Sequence, residues 1–128
     1  MPNKNKNNDK YFSGLTGEKT AKQYMEKLGF VLLKNRFKTK NGEIDLIFKN
    51  DNEKLLVFME VKRRKTIYDY ENVILKRQWD RIYNASSDFL SKNQEYNEYD
   101  LRYDAFICFR DTDRIIHIPN ILQTDNVL

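Results

Sequence analysis

Gly42-Glu43-Ile44-Asp45 and Glu60-Val61-Lys62 set acids and a lysine inside two short apolar runs. Strand side chains alternate between faces, so Glu60 and Lys62 point one way while Val57, Met59 and Val61 point the other. Charges where an apolar pair would pack cost several kcal/mol per ion unless something compensates them. A divalent cation would do so. Magnesium prefers oxygen ligands and keeps several waters, so two or three carboxylates suffice to hold it. It lowers the pKa of a bound water and neutralises charge building on a phosphate. Lys62 is placed to orient the attacking water or to stabilise the transition state. Phosphodiester hydrolysis needs these parts.

Other chemistries are poorly served. The four glycines, Gly14, Gly17, Gly29 and Gly42, do not have the spacing of a nucleotide-hydrolase phosphate loop, so ATP-dependent chemistry is not expected. His117 is the single histidine, which excludes multi-histidine zinc sites. It ends the Arg114-Ile115-Ile116 run and reads as structural. Cys108 is the single cysteine and lies in the apolar run Ala105 to Phe109, where it reads as a small core hydrophobe.

With 128 residues, 40% of them hydrophobic and 13% aromatic, the chain supports one core. The expected organisation is a disordered, Asn- and Lys-rich arm over residues 1–10, one domain over 11–122 and a tail over 123–128. No stretch has the apolar length of a membrane span and the N-terminus lacks a signal-peptide core, so a cytoplasmic protein is expected. The net charge of +4, from 23 Lys and Arg against 19 Asp and Glu, is only mildly basic. Its placement is more informative. Lys34, Arg36, Lys38 and Lys40 recur at every second residue, as a nucleic-acid-binding row or as a solvated edge strand protected by charge. Lys62, Arg63, Arg64 and Lys65 directly follow the acids, where a role on nucleic acid is favoured.

The elements that must position these residues can be read in order. Ala21, Tyr24, Met25 and Leu28 have helical spacing over Thr16 to Leu28, with Thr16 as N-cap and Gly29 as terminator. Glu18 then sits on or beside the buried face, or simply favours the helix dipole as a first-turn acid. Three strands follow, Phe30 to Phe37, Glu43 to Lys49 and Leu55 to Lys62, joined by hairpins at Asn41-Gly42 and within Asn50 to Glu53. A two-residue Asn41-Gly42 turn sets Lys38 against Asp45 and Arg36 against Ile47. A second turn centred on Asn52-Glu53 sets Glu60 against Asp45, whereas one centred on Asp51-Asn52 makes the two acids diagonal neighbours. Either keeps Asp45, Glu60 and Lys62 on one face, which a one-residue slip would destroy. Tyr70 to Leu90 reads as a helix with an inner stripe of Leu75, Trp79, Ile82, Tyr83, Ser86, Phe89 and Leu90, and with Gln78 beside it. Strands over Leu101 to Phe109 and Arg114 to Ile118 flank an Arg110 to Asp113 turn. The strand-helix-strand crossover implies a parallel pair.

The ordered set Gly17-Glu18, Ala21, Tyr24, Gly29, Asn35-Arg36, Gly42 to Ile47, Val57 to Lys62, Arg64, Val73, Gln78, Ala85, Arg102-Tyr103-Asp104 and His117 to Asn120 resembles the bacterial YraN-like family. That family belongs to the PD-(D/E)XK, restriction-endonuclease-like superfamily and is similar in fold to archaeal Holliday junction resolvases. The resemblance spans Phe12 to Ile121. It implies an α/β fold of order αβββαββ, with a mixed central sheet flanked by helices. It makes Asp45 and Glu60 the metal ligands and Lys62 the catalytic lysine. Glu18 becomes a helix-borne acid completing the site, and Gln78 an auxiliary group. The chain departs from the family pattern in having Arg77-Gln78 where Lys-Gln is usual, and in a shorter connection after Lys62 that lacks the usual glycine.

The resulting expectation is a magnesium-dependent endonuclease, with manganese as a substitute ion, acting on DNA that includes branched or structured forms. Arg36, Lys38, Arg63, Arg64 and Arg77 are the expected nucleic-acid contacts. The alternatives are a nucleic-acid-binding module of the same fold with little turnover, and a protein-interaction scaffold whose acids form salt bridges. Intact Asp45, Glu60 and Lys62 argue against both, since a pure binder gains nothing from acids that repel phosphate. Related resolvases act as dimers, since two strands must be cut symmetrically, so the resemblance implies a homodimer.

Overall fold

A computed structural model of the chain describes residues 6–66 and 76–121, with side chains from Thr16 onward. Its elements are α1 (Lys6–Lys27), β1 (Val31–Thr39), β2 (Gly42–Asn50), β3 (Leu55–Arg64), α2 (Lys76–Lys92), a short 3-10 turn (Gln94–Tyr96), β4 (Asp100–Phe109) and β5 (Ile115–Ile118). This is the expected α/β order. The strands form one mixed sheet in the order β1-β2-β3-β4-β5, with β3 and β4 parallel and the other neighbours antiparallel. The parallel pair follows from the α2 crossover, because a helix between two strands of one sheet returns the chain to its starting end.

Each face of the sheet has its own core. Ala21 and Met25 of α1 pack on Leu46, Phe48, Val57, Met59 and Phe106. Ile82, Ala85 and Phe89 of α2 pack on Ile47, Phe58, Ala105 and Ile107. Glu60 and Lys62 therefore belong to the α2 side and Val61 to the α1 side, in agreement with strand alternation. Cys108 is buried in the α1-side core, as expected for a small hydrophobe.

Several local expectations are corrected. The helix α1 begins at Lys6, so Lys6 to Lys10 are helical, whereas residues 1–5 of the expected arm lie outside the described residues. Thr16 is inside the helix, not its cap, and its carbonyl accepts from Thr20 Oγ1 at 2.9 Å. Leu28 is 51% exposed because the helix has already ended. Gly29 has φ 95°, and Phe30 N–H bonds Met25 O at 3.1 Å, a glycine-dependent helix stop. Of the expected second helix, residues 70–75, including Leu75 of its stripe, lie outside the described residues, as does the 123–128 tail. Tyr83, placed in that stripe by spacing, is 52% exposed.

The first hairpin turns at Lys40-Asn41, not at Asn41-Gly42. Thr39 pairs with Gly42 and Lys38 with Glu43, so Lys38 does not oppose Asp45 and Arg36 does not oppose Ile47. The pairs Asn35 with Leu46 and Phe37 with Ile44 leave Arg36 across from Asp45. The cause is tertiary. A Cβ on Gly42 would stand 1.8 Å from the Arg81 carbonyl oxygen, so only glycine lets α2 lie against the hairpin. Asp88 of α2 fastens the turn by accepting from Thr39 Oγ1 at 2.7 Å and from Asn41 Nδ2 at 3.1 Å. The second hairpin pairs Asn50 with Leu55 and has the register in which Glu60 comes opposite Asp45.

Candidate functional site

The β2–β3 ladder runs from Asn50 and Leu55 to Leu46 and Met59 and stops there. Past that pair, the Asp45 carboxylate fills the gap and accepts the Val61 N–H at 2.7 Å. A side chain that replaces ladder contacts at the end of an antiparallel pair is fixed by the backbone itself. Asp45 consequently lines a cavity on each side of the opening. On the α2 side, a cavity of about 450 Å³ brings Asp45 and Glu60 together with Glu43, Arg77, Gln78, Arg81 and Ile82. On the other side, about 260 Å³ is lined by Asp45, Glu18, Arg36, Lys38, Glu43 and Ile44.

Electrostatics set the character of this cleft. Burial and the neighbouring Glu60 carboxylate push the Asp45 pKa up from 3.8 to about 7, against the opposing pull of the Val61 N–H and Lys62. Glu60 forms an ion pair with Lys62 at 3.0 Å, both side chains being less than one-fifth exposed. Glu18 is buried in the middle of α1, which removes the helix-dipole reading of a first-turn acid. Burial raises its pKa, Arg36 lowers it, and Asp45 raises it further. Arg36 Nε lies 3.2 and 3.1 Å from the two Glu18 oxygens, and its backbone takes the left-handed value φ 54°. That conformation is uncommon for a non-glycine residue. It turns Arg36 toward α1 and out of the simple alternation expected of the basic row.

Asp45, Glu60, Gln78 and Arg77 thus line one cavity, and Lys62 stands beside it through its ion pair with Glu60. Glu18 approaches Asp45 from the opposite side but is engaged by Arg36. Among the described residues, no three His, Cys, Asp or Glu side chains stand close enough to hold a metal by themselves. The donor set that fits an ion is therefore Asp45 with Glu60, completed by water, which suits magnesium better than a metal needing an all-protein cage. The raised pKa of Asp45 supports the fit. Two carboxylates that burial and proximity make costly to ionise together are relieved by a cation.

The remaining basic residues divide. Lys38 lies 3.8 Å from Glu43, and Arg81 lies 3.4 Å from the same carboxylate, so both flank the cleft. Arg64 donates from Nη1 to the Arg63 carbonyl at 3.2 Å. Arg63 is not beside the acids. It is set between α1 and the β4–β5 loop, on the face opposite Glu60. Glu43 enters the sequence reading only within the Gly42 to Asp45 run and Arg81 not at all, although charges two residues before Asp45 and one turn after Gln78 are the available signal.

A second charged cluster lies in the α1-side core. Asp104 is 1% exposed and accepts from Arg102 Nε and Nη2, both at 2.9 Å, and from Asn120 N–H at 3.0 Å. His117 Nε2 is 2.8 Å from the same carboxylate, and its Nδ1 is 3.3 Å from Tyr24 Oη. This network ties β4, β5 and α1 together, giving His117 the structural role read for it. No helix among the described residues is long and apolar enough to cross a membrane.

A five-stranded mixed sheet with a helix on each face, and a carboxylate-lysine cleft where two of its strands part, defines an α/β architecture. The chain belongs to the YraN family, UPF0102: the family model described as "Uncharacterised protein family UPF0102" matches residues 17–108, which include Glu18, Asp45, Glu60, Lys62 and Gln78. A UPF0102 protein of Rhodopseudomonas palustris is 38% identical over 100 residues, covering 78% of this chain and 75% of that protein. Relatives of the same name from Nitrobacter winogradskyi and Bradyrhizobium diazoefficiens are 33% and 34% identical. They cover 76% and 74% of this chain, and 80% and 70% of their own lengths.

Proposed function

We propose that the chain is a magnesium-dependent endonuclease that hydrolyses phosphodiester bonds in DNA, branched or structured DNA included. The observation that carries this reading is the pairing of Asp45 with Glu60 beside Lys62, in a cleft where burial and Glu60 hold Asp45 near pKa 7. Asp45 and Glu60 would hold the magnesium, for which manganese could substitute. When bound, the ion supplies charge neutralisation at the phosphate and a more acidic water. The Val61 N–H keeps Asp45 from rotating out of the cleft. Lys62, held by Glu60, presents an ammonium that orients the attacking water or stabilises the charge developing on the phosphate. The water gives up a proton to solvent as its oxygen bonds to phosphorus, the bond to the leaving oxygen breaks, and the departing oxygen takes a proton from solvent.

Gln78 and Arg77 approach from α2 as auxiliary groups, and Glu18, held by its ion pair with Arg36, borders the far side of Asp45. Lys38, Arg77 and Arg81 at the mouth supply phosphate contacts, which position a polynucleotide without reading its sequence. Symmetric cutting of two strands makes a homodimer the working assembly, and DNA as substrate fits a cytoplasmic location. The test is incubation of the protein with labelled junction, flap, duplex and single-stranded DNA in magnesium, manganese or EDTA. Cleavage confined to the metal conditions supports the reading. Binding without cleavage of any substrate in either metal would instead favour the non-catalytic module.

A further inference from the structure

The opposite side of the molecule carries a basic cavity that the acidic cleft does not use. It occupies about 650 Å³ between α1 and the β4–β5 loop, and its wall includes Thr20, Cys108 and three arginines, Arg63, Arg110 and Arg114. Asp111 and Asp113 also reach its rim, leaving a lining charge of one positive unit. None of the three arginines forms an ion pair among the described residues. The Nε of Arg63 is buried and has no hydrogen-bond partner among them. A buried, charged donor without an acceptor forfeits its hydration with nothing in return, and native structures rarely leave one so. Arg63 lies in the third position after Glu60 on β3, roughly 10 Å along the strand, within the span of a few nucleotides.

We infer that this cavity binds a phosphate group, with Arg63 as the inner donor and Arg110 and Arg114 closing over it from the loop. A guanidinium offers paired N–H donors matched to phosphate oxygens, and three of them around one pocket favour a phosphate over a carboxylate. Threonine is a wall here, because the Thr20 hydroxyl already donates to the Thr16 carbonyl. The phosphate can come from a polynucleotide backbone or as a free ion. This site goes beyond the nuclease reading, since occupancy requires neither Asp45 nor Glu60.

The experiment is done in EDTA, so that loss of cleavage cannot be confused with loss of binding. Thermal melts with inorganic phosphate at constant ionic strength, and titrations with a fluorescent oligodeoxynucleotide across salt concentrations, are compared for wild type, Arg63→Met, Arg110→Ala and Arg114→Ala. Arg110 and Arg114 are exposed, so their variants remain decisive if Arg63→Met does not fold. Stabilisation of wild type by phosphate that is lost in the variants supports an anion site for the free ion. Oligonucleotide affinity about tenfold weaker in the variants, with a salt slope shallower by roughly one, supports a backbone-phosphate site. Variants that match wild type in both measurements would overturn the inference.

Discussion

The carboxylate of Asp45 accepts the backbone N–H of Val61 at 2.7 Å where the β2–β3 ladder ends. A side chain that closes the gap between two parting strands is held by the sheet and still open to cavities on both sides. This geometry makes Asp45 both a structural bridge and a partner of Glu60, and its titration should expose the conflict between those roles. The folded-state pKa, about 7, lies above the ordinary 3.8, so folding without metal takes up a proton in that interval. Stability contributed by protonated Asp45 is therefore lost as pH rises from about 4 through 7, and the penalty is full above it.

Asp45→Asn should raise the melting temperature in EDTA at pH 8 by several degrees, corresponding to about 1–3 kcal/mol, because the amide removes the repulsion while keeping an acceptor for Val61. The advantage should shrink toward pH 4. Magnesium should then stabilise wild type and leave the variant nearly unchanged, since an ion stabilises only the state that binds it. Melts over pH, with and without magnesium, measure both effects. A large loss of stability in the EDTA-treated variant at pH 8 would mean that Asp45 is instead a favourable salt-bridge partner.

Asp104 should behave in the opposite way. Burial pushes its pKa up, but His117, Arg102 and the Asn120 N–H together outweigh burial and hold it below the ordinary value. Its contribution is present above the unfolded pKa and is lost as pH falls through the lowered folded value. Asp104→Asn should cost about 3 kcal/mol at pH 7, because Arg102 and His117 lose a buried charged acceptor. The difference from wild type should narrow in acid. Urea titrations at pH 7 and pH 3 check this, and an equal difference at both would contradict the assigned ionisation.

Gly42→Ala should lower stability by about 1–3 kcal/mol, because its Cβ cannot coexist with the Arg81 carbonyl oxygen and α2 must move from the hairpin. Gln78 and Arg77 would move with α2. The variant should therefore lose cleavage activity more than it loses magnesium affinity, which Asp45 and Glu60 supply. Manganese titration alongside cleavage rates distinguishes the two losses.

Much of the α2-side site is legible in the sequence because strands repeat every two residues and the Asn50–Leu55 hairpin fixes the register of β2 on β3. Glu60, Lys62 and Asp45 follow from those two constraints. The first hairpin is less legible. Asn41-Gly42 is a favourable local turn, but Gly42 is required under α2, and tertiary packing shifts the turn by one residue. Arg36 escapes alternation because its left-handed backbone and Glu18 redirect it. Arg63 adjoins Lys62 in sequence and faces away from it in space, the same alternation that unites Glu60 with Lys62. The Asp104 network required long-range partners, and its local signal was an acid inside the apolar run Leu101 to Phe109.

The most direct measurement is single-turnover cleavage of labelled branched DNA, bound to the protein in EDTA and started by excess magnesium. Wild type, Asp45→Asn, Glu60→Gln and Lys62→Met are compared, with binding measured separately for each. The expected result is cleavage by wild type alone, with rates in the three variants reduced by at least about 100-fold and DNA affinity retained. Wild-type cleavage that proceeds equally in EDTA, or that survives in Asp45→Asn and Glu60→Gln, would contradict the assignment of these carboxylates to a hydrolytic metal site.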